Sequence, residues 1–471
     1  MKLDSKKILF VGLAFFLISI FWQVYDITIP KILMYKFGLN HSVSGVIMAV
    51  DNILALTLLP LFGALSDRSR HKLGRRTPFV IIGTIAAVIA FMGLTFSDNY
   101  QLQLIEEAGI VEYVDGLEAV LPAGQVLTEA QLIEVRARAW DVTVNNPMNI
   151  VVFSGLLLIV LIAMSTFRSP AVALMPDVTV KPLRSKANAI INLMGGASGA
   201  IALVLMMVYK TDATRFNHNM MLFFTIAAIM LISLGVFLWK VKEPILVKQM
   251  EEDKIKYGIV DEMEEVKEEK LPKAQLTSLI LILSSIFLWF MGYNAVTSKF
   301  SVYAKDILNM GATLPLMIAN IAAILTYIPA GMVASKIGRK NTIMIGVVMM
   351  VVSFGSAYFL TPTSNYLMYV VLLLAGMGWA SINVNSYPMI AELSKGSNVG
   401  KYTGYYYTFS MSAQAITPVI SGVLMDVIDP RILFPYGAFF IFLAFFTMIM
   451  VKHGNAKPIP QKAVEYLGTD D

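Results

Sequence analysis

The chain of 471 residues contains no cysteine and only four scattered histidines, which excludes disulfides, thiolate nucleophiles and Cys/His metal clusters as organising chemistry. Charge is scarce too. Asp, Glu, Lys and Arg make up 15% of the residues against 57% hydrophobic ones, and mean hydropathy is +0.68. A water-soluble chain could not hide that much apolar surface in its cores, so most of this one belongs in lipid. No nucleotide-binding glycine loop and no nucleophile–base pair stands out, so neither an enzyme nor a cofactor is expected. The formal charge of +5 is the bias that membrane topology imposes on loops, and it is no sign of nucleic-acid binding.

What the sequence does have is apolar runs. About 20 apolar residues carry a helix across the ~30 Å hydrocarbon layer. Twelve such runs occur, at approximately 8–33, 42–65, 78–97, 150–173, 187–209, 219–240, 275–298, 313–334, 341–361, 365–388, 401–425 and 431–451. They predict an all-α membrane protein with twelve transmembrane helices in two pseudo-symmetric six-helix bundles. Lys2, Lys6 and Lys7 precede the first run and no small-residue cleavage site follows it, so it reads as a retained helix. An even number of spans puts both termini on one side. Lys and Arg concentrate in the short loops of that side, which makes it the cytoplasmic face of a cell-membrane protein. A monomer is expected.

The string GALSDRSRHKLGRR at 63–76 wedges basic residues between two apolar runs and returns in reduced form at 331–340. Each copy opens on a Gly, passes through a polar turn and closes on Gly-Arg-basic, at Gly74-Arg75-Arg76 and Gly338-Arg339-Lys340. Gly63 maps onto Gly331 at an offset of 268 residues, whereas Asp177 maps onto Glu392 and Lys186 onto Lys401 at 215. The difference locates an insertion at 98–149 in the first half. Without it the chain is two six-helix units in parallel orientation: 1–240 and 275–451, joined by a cytoplasmic linker at 241–274 and followed by a tail at 452–471. The Glu/Lys-rich linker reads as solvated and partly helical, with no functional role expected. In the insertion, which should be extracellular, Thr128 and Gln131 fit a capping box and predict a helix over about 129–141. Asp115-Gly116 between Val-rich flanks predicts a hairpin turn.

The loop residues Gly63, Asp67, Arg68, Gly74, Arg75 and Arg76 resemble the signature of the major facilitator superfamily. With Thr77-Pro78-Phe79 after them, Pro60 before them, and the stretches 170–177 and 184–189, the chain resembles the sucrose-transporter-like branch of the glycoside-pentoside-hexuronide group. That resemblance implies a cytoplasmic gate of Gly63, Asp67, Arg68, Gly74, Arg75 and Arg76, in which Asp67 and the arginines stabilise the outward-open state. The pattern also departs. Plant sucrose–proton symporters place an Asp in helix four where this chain has Leu161, so their proton site does not carry over. Sodium–melibiose relatives place two Asp in helix two where Ala55 and Leu59 stand, which disfavours that mode of sodium coupling.

Ionisable groups inside hydrocarbon cost at least ~2.5 kcal/mol near a helix centre, so each asks for a cavity, a partner or a task. Asp51, about 13 Å down the second helix at 1.5 Å per residue, is the first candidate for proton coupling, with neutralisation by Asn52 as the alternative. Asp26 is the second candidate, nearer the outer face. Together with Trp22 and Gln23, four and three residues before it on one helix face, it also suits a sugar, which needs an aromatic ring for its C–H face and paired groups for its hydroxyls. Arg168, the one basic residue read as lying well inside a span, is assigned to the gate through Asp67 or Asp177, or else to substrate. Asn188, Asn192, Gly195 and Gly199 fall on one face of helix five, which either lines the cavity or packs a neighbour. In the second half Asn294, Asn320, Trp379, Asn383, Asn385, Tyr406 and Gln414 are polar intramembrane positions without a carboxylate. Of these, Asn294, Trp379 and Asn383 join the substrate-site candidates.

The resulting expectation is an alternating-access secondary transporter, a proton-coupled importer of a glycoside or disaccharide. Its partners are a small-molecule sugar, protons and the bilayer. The alternatives are an exporter of small organic solutes, or a receptor or lipid-handling protein on the same scaffold.

Overall fold

The computed structural model describes residues 4–122, 125–180, 183–211, 214–257, 272–393 and 399–454. Those residues form helices and connecting turns, with no strand among them. Twelve helices are long and apolar enough to span a membrane. In chain order the helices are α1 (Ser5–Val11), α2 (Leu13–Lys31, prolonged by a π-turn over Ile32–Lys36), α3 (His41–Arg68), α4 (Thr77–Glu107), α5 (Ile110–Ala119) and α6 (Glu129–Asn145). After these come α7 (Pro147–Asp177), α8 (Arg184–Val208), α9 (Met220–Lys240) and α10 (Glu243–Lys256). The second half supplies α11 (Lys273–Asp306), α12 (Thr313–Ile337), α13 (Arg339–Ala357), α14 (Met368–Leu393), α15 (Val399–Val427) and α16 (Leu433–Met450).

Two separate apolar cores organise the spans. One collects buried residues from Ile8 to Val241 and the other from Leu279 to Val451. Between them runs a seam along which α3 packs on α15, α2 on α11 and α8 on α12. Glycines set the closest approaches. A Cβ on Gly45 would lie 2.0 Å from the Pro418 carbonyl oxygen, and one on Gly422 would lie 2.4 Å from that of His41.

The 98–149 insertion differs from its sequence reading in one place. Asp115-Gly116 turns no hairpin. Both residues lie inside α5, whose Ile110 and Val114 are buried one turn apart and join the small cluster of Leu127, Leu132 and Val135. A helical apolar spacing with a buried partner face overrides the turn propensity of an exposed Asp-Gly pair. The helix expected near 129–141 is α6, opened by the capping box of Thr128 and Gln131 and continuing to Asn145.

The linker is also more than a solvated strap. Its first part is α10, and Glu243 at the start of α10 is 1% exposed. Residues 258–271 of the linker and 455–471 of the tail lie outside the described residues.

Candidate functional site

Two sites follow from this frame: a polar centre in the seam, and a charged cluster at the end of the bundles where the linker lies. The centre starts from α2. Trp22, Gln23 and Asp26 are each half-buried and face the seam along with Ser19. Asp51 of α3 and Arg168 of α7 are close enough to Asp26 for all three to feel one another's charge. Asp51 accepts a hydrogen bond from the Asn52 amide at 2.7 Å. Arg168 stands 5.7 Å above the Trp22 ring and makes no ion pair or hydrogen bond among the described residues. Trp22 Nε1 and the Tyr25 hydroxyl are buried without a hydrogen-bond partner. The centre therefore offers unmet donors on one flank and carboxylate acceptors on the other.

The second half closes the centre with aromatic rings. Trp379 of α14 stacks on Tyr293 of α11 with centroids 3.8 Å apart and planes 4° apart. Tyr293 lies within reach of the charge of Asp26. Tyr327 lies beside Asn383, and Tyr407 of α15 comes near Arg168. Trp379 and Asn383 thus lie near the centre. Asn294 instead spends its amide on the Phe290 carbonyl of its own helix at 2.8 Å.

On α8 the glycines of the small-polar stripe pack against neighbouring helices. A Cβ on Gly199 would meet Gln23 Oε1 at 3.2 Å and Asn320 Nδ2 at 3.3 Å, and one on Gly195 would meet Ser19 Oγ at 3.0 Å. The glycines therefore pack α8 onto α2 and α12, whereas Asn192 is exposed. The side chain of Asn188 lies outside the described residues.

Arg168 is a correction. It pairs with neither Asp67 nor Asp177, because the nine residues from Arg168 to Asp177 place it about 13 Å up the helix from that acid. Arg75 and Arg76 occupy those acids instead. Arg76, with 6% of its side chain exposed, binds Asp177 through Nε at 2.8 Å and also pairs with Asp67. Arg75 Nη2 lies 3.5 Å from Asp177. Burial works to lower the Arg76 pKa, and the hydrogen bonds and charges of Asp177 and Asp67 outweigh it, holding the guanidinium above its ordinary value. Arg68 is exposed and unpaired among the described residues.

Glu243 is the residue of this cluster that sequence reasoning missed. Its carboxylate accepts the backbone N–H groups of Arg75 at 2.7 Å, Arg76 at 3.0 Å and Thr77 at 2.8 Å, and the Thr77 hydroxyl at 2.7 Å. It is a carboxylate cap on the amino terminus of α4, where unpaired N–H groups and the helix dipole favour negative charge. Gly74 is required for this. It has φ +112, and a Cβ there would lie 2.3 Å from the Glu243 carboxylate. In sequence the signal was the Pro at the second position of α10, which marks Glu243 as a first-turn acid. Gly63 serves similarly, since a Cβ there would meet Ser169 Oγ at 2.8 Å.

A second correction concerns basic residues. α11 runs to Asp306 rather than ending near 298, so Lys299 lies inside a span and is 0% exposed. Arg168 is not alone. Lys299 lies toward the insertion end of the seam, away from the polar centre.

Comparison with known proteins matches these features. The family model described as Major Facilitator Superfamily matches residues 142–385 and 311–465, and one described as MFS/sugar transport protein matches residues 10–105. The quinolone resistance protein NorA of Staphylococcus aureus is 26% identical over 183 residues, which is 38% of this chain and 46% of NorA. The chain thus aligns with less than half the length of that relative. Among solved structures, a D-xylose-proton symporter has a TM-score of 0.63 at 16% identity, covering 95% of this chain and 98% of that one. A bacterial homologue of the iron transporter ferroportin in its inward-facing state has a TM-score of 0.61 at 14% identity, covering 95% and 99%. At such identities the likeness is one of fold.

Proposed function

We propose, from the premise that the chain belongs to the Major Facilitator Superfamily, that it is an alternating-access, proton-coupled importer of a glycoside or disaccharide, of the sucrose-transporter-like kind. The observation that carries this is the polar centre: two carboxylates and an unpaired guanidinium share one seam with half-buried aromatic rings. A sugar fits that set. Its hydroxyls accept from Arg168 and the Trp22 indole and donate to Asp26, while its C–H face lies on the ring of Trp22 or of Tyr293. Asp51 carries the proton, and Asp26 holds the sugar or shares the coupling. The sugar-transport description of the match over 10–105 supports the substrate class.

The basic loops support an orientation with the linker end in the cytoplasm and the insertion outside a cell membrane. On that orientation the seam is closed at the outer end and the conformation faces inward. Protonation of Asp51 from outside, sugar binding and rocking of the bundles would precede release of both on the inner side. The gate of Asp67, Arg75, Arg76, Asp177 and Glu243 controls the other state. A monomer suffices, since the centre lies within one chain.

The test is uptake of a panel of radiolabelled sugars into liposomes under an inward proton gradient. Asp51→Asn is expected to abolish gradient-driven accumulation while sparing exchange of sugar for sugar. Accumulation that survives collapse of the gradient, or that is unchanged in Asp51→Asn, overturns the coupling. Export of small organic solutes is the second reading, favoured by the likeness to NorA, and drug-stimulated proton release from the same liposomes with no sugar uptake would select it.

A further inference from the structure

Helix α3 begins at the seam's insertion end, and its first N–H groups have no partner within the helix. Asn40 of the same chain segment caps only Val43, at 2.8 Å. The N–H groups of His41 and Ser42 donate instead to the carboxylate of Asp426, at 3.0 and 2.6 Å, and the Ser42 hydroxyl donates to it as well. Asp426 belongs to α15 and therefore to the other bundle. One turn of backbone is gripped from its other pole too: Lys299 of α11, fully buried, donates from Nζ to the His41 carbonyl at 2.8 Å.

We propose that Asp426, assisted by Lys299, is the lock that holds the insertion end of the seam closed, and so a positioning residue of the transport cycle. The carboxylate meets a helix amino terminus, where its charge is favoured, and the ammonium meets the carbonyl of the same residue. Both charges come from one bundle and the backbone donors and acceptor they bind from the other, so the contact exists only while the two bundles touch here. The glycine contacts beside it, Gly45 on Pro418 and Gly422 on His41, bring the backbones close enough for the grip.

Opening does not strand a buried charge. Lys299 and Asp426 lie within reach of each other's field on the same bundle, so each neutralises the other once α3 withdraws. A lock of this design is firm but reversible. Asp67 has the same penultimate place in α3 at the opposite end that Asp426 has in α15, and there it pairs with Arg76 of its own bundle. In this conformation the carboxylate at the closed end crosses the seam and the one at the other end stays at home.

The inference rests on alternating access, not on any substrate, and its test needs none. The chain has no native cysteine, so single cysteines report without background. Ser44→Cys, at a position 0% exposed in α3, reports opening of the insertion end, and Tyr407→Cys, 50% exposed beside Arg168, reports the linker end. In membranes labelled with a maleimide, Asp426→Ala is expected to raise labelling at 44 about tenfold and to lower it at 407. Asp426→Asn and Lys299→Met shift both the same way by less, and Asp426→Glu restores protection. A merely structural role raises labelling at both positions, and unchanged labelling at 44 in the folded Asn variant denies a lock. Either result overturns the proposal, and neither bears on which solute is carried.

Discussion

The two copies of the Gly-to-basic loop close the same end of two similar bundles, yet they are wired differently. In the first, Arg76 is nearly buried and holds both Asp67 and Asp177, while Glu243 caps the helix that follows. In the second, Arg339 is 19% exposed and holds a single acid, Glu392, at 3.0 Å, and Ser335 stands roughly where Asp67 would. The acids Asp177 and Glu392 play the same part, at the ends of α7 and α14, as their shared offset in the sequence implies. What the first copy adds is two carboxylates, Asp67 on Arg76 and Glu243 from the linker. The comparison teaches that the two halves share the arginine-to-acid pair, whereas the capping carboxylate and the extra acid are found in the first copy alone among the described residues.

Breaking the first loop at its most buried point gives the largest expected effect. Glu243→Ala removes the acceptor of three backbone N–H groups and a hydroxyl, a loss on the order of 3 kcal/mol. It should lower the melting temperature of the detergent-solubilised protein, with Glu243→Gln recovering part of the fall. An unaltered melting curve would mean that α4 finds another cap. Next comes the arginine pair. Arg76→Gln should reduce transport turnover about tenfold with little change in KM, whereas Arg339→Gln, at a more exposed single pair, should cost no more than about twofold. Equal losses would erase the distinction between the copies. The smallest effect is expected from adding what the second copy lacks: Ser335→Asp should alter stability by no more than ~0.5 kcal/mol, since Arg339 is already engaged by Glu392. A gain in turnover there would show that the missing acid limits the cycle.

How far the sequence carried depended on whether a residue's partner was local. Span number and the insertion followed from apolar length and from offsets, which are properties of one strand of text. Trp22, Gln23 and Asp26 share a helix face by spacing alone, and Thr128 and Gln131 announce their cap three residues apart. Arg168, Glu243, Lys299 and Asp426 were misread or passed over because what they touch lies 100 residues or more away along the chain, or across the seam. Lys299 was also hidden by its position past the end of the apolar run. Only the packed helix shows that α11 continues to Asp306. The Asp-Gly pair in α5 failed for the opposite reason, since a local turn signal was outvoted by burial of Ile110 and Val114.

The docking of α10 has a mechanical consequence. Glu243 fastens the start of α10 to the first bundle, and Leu246 and Val247 pack on that bundle's core, so the covalent path between the bundles is counted from Lys256 and not from Lys240. Seventeen peptide steps separate the last residue of α10 from Lys273, the first of α11, and they reach at most about 60 Å. The same carboxylate that finishes a helix thus also shortens the path that joins the halves.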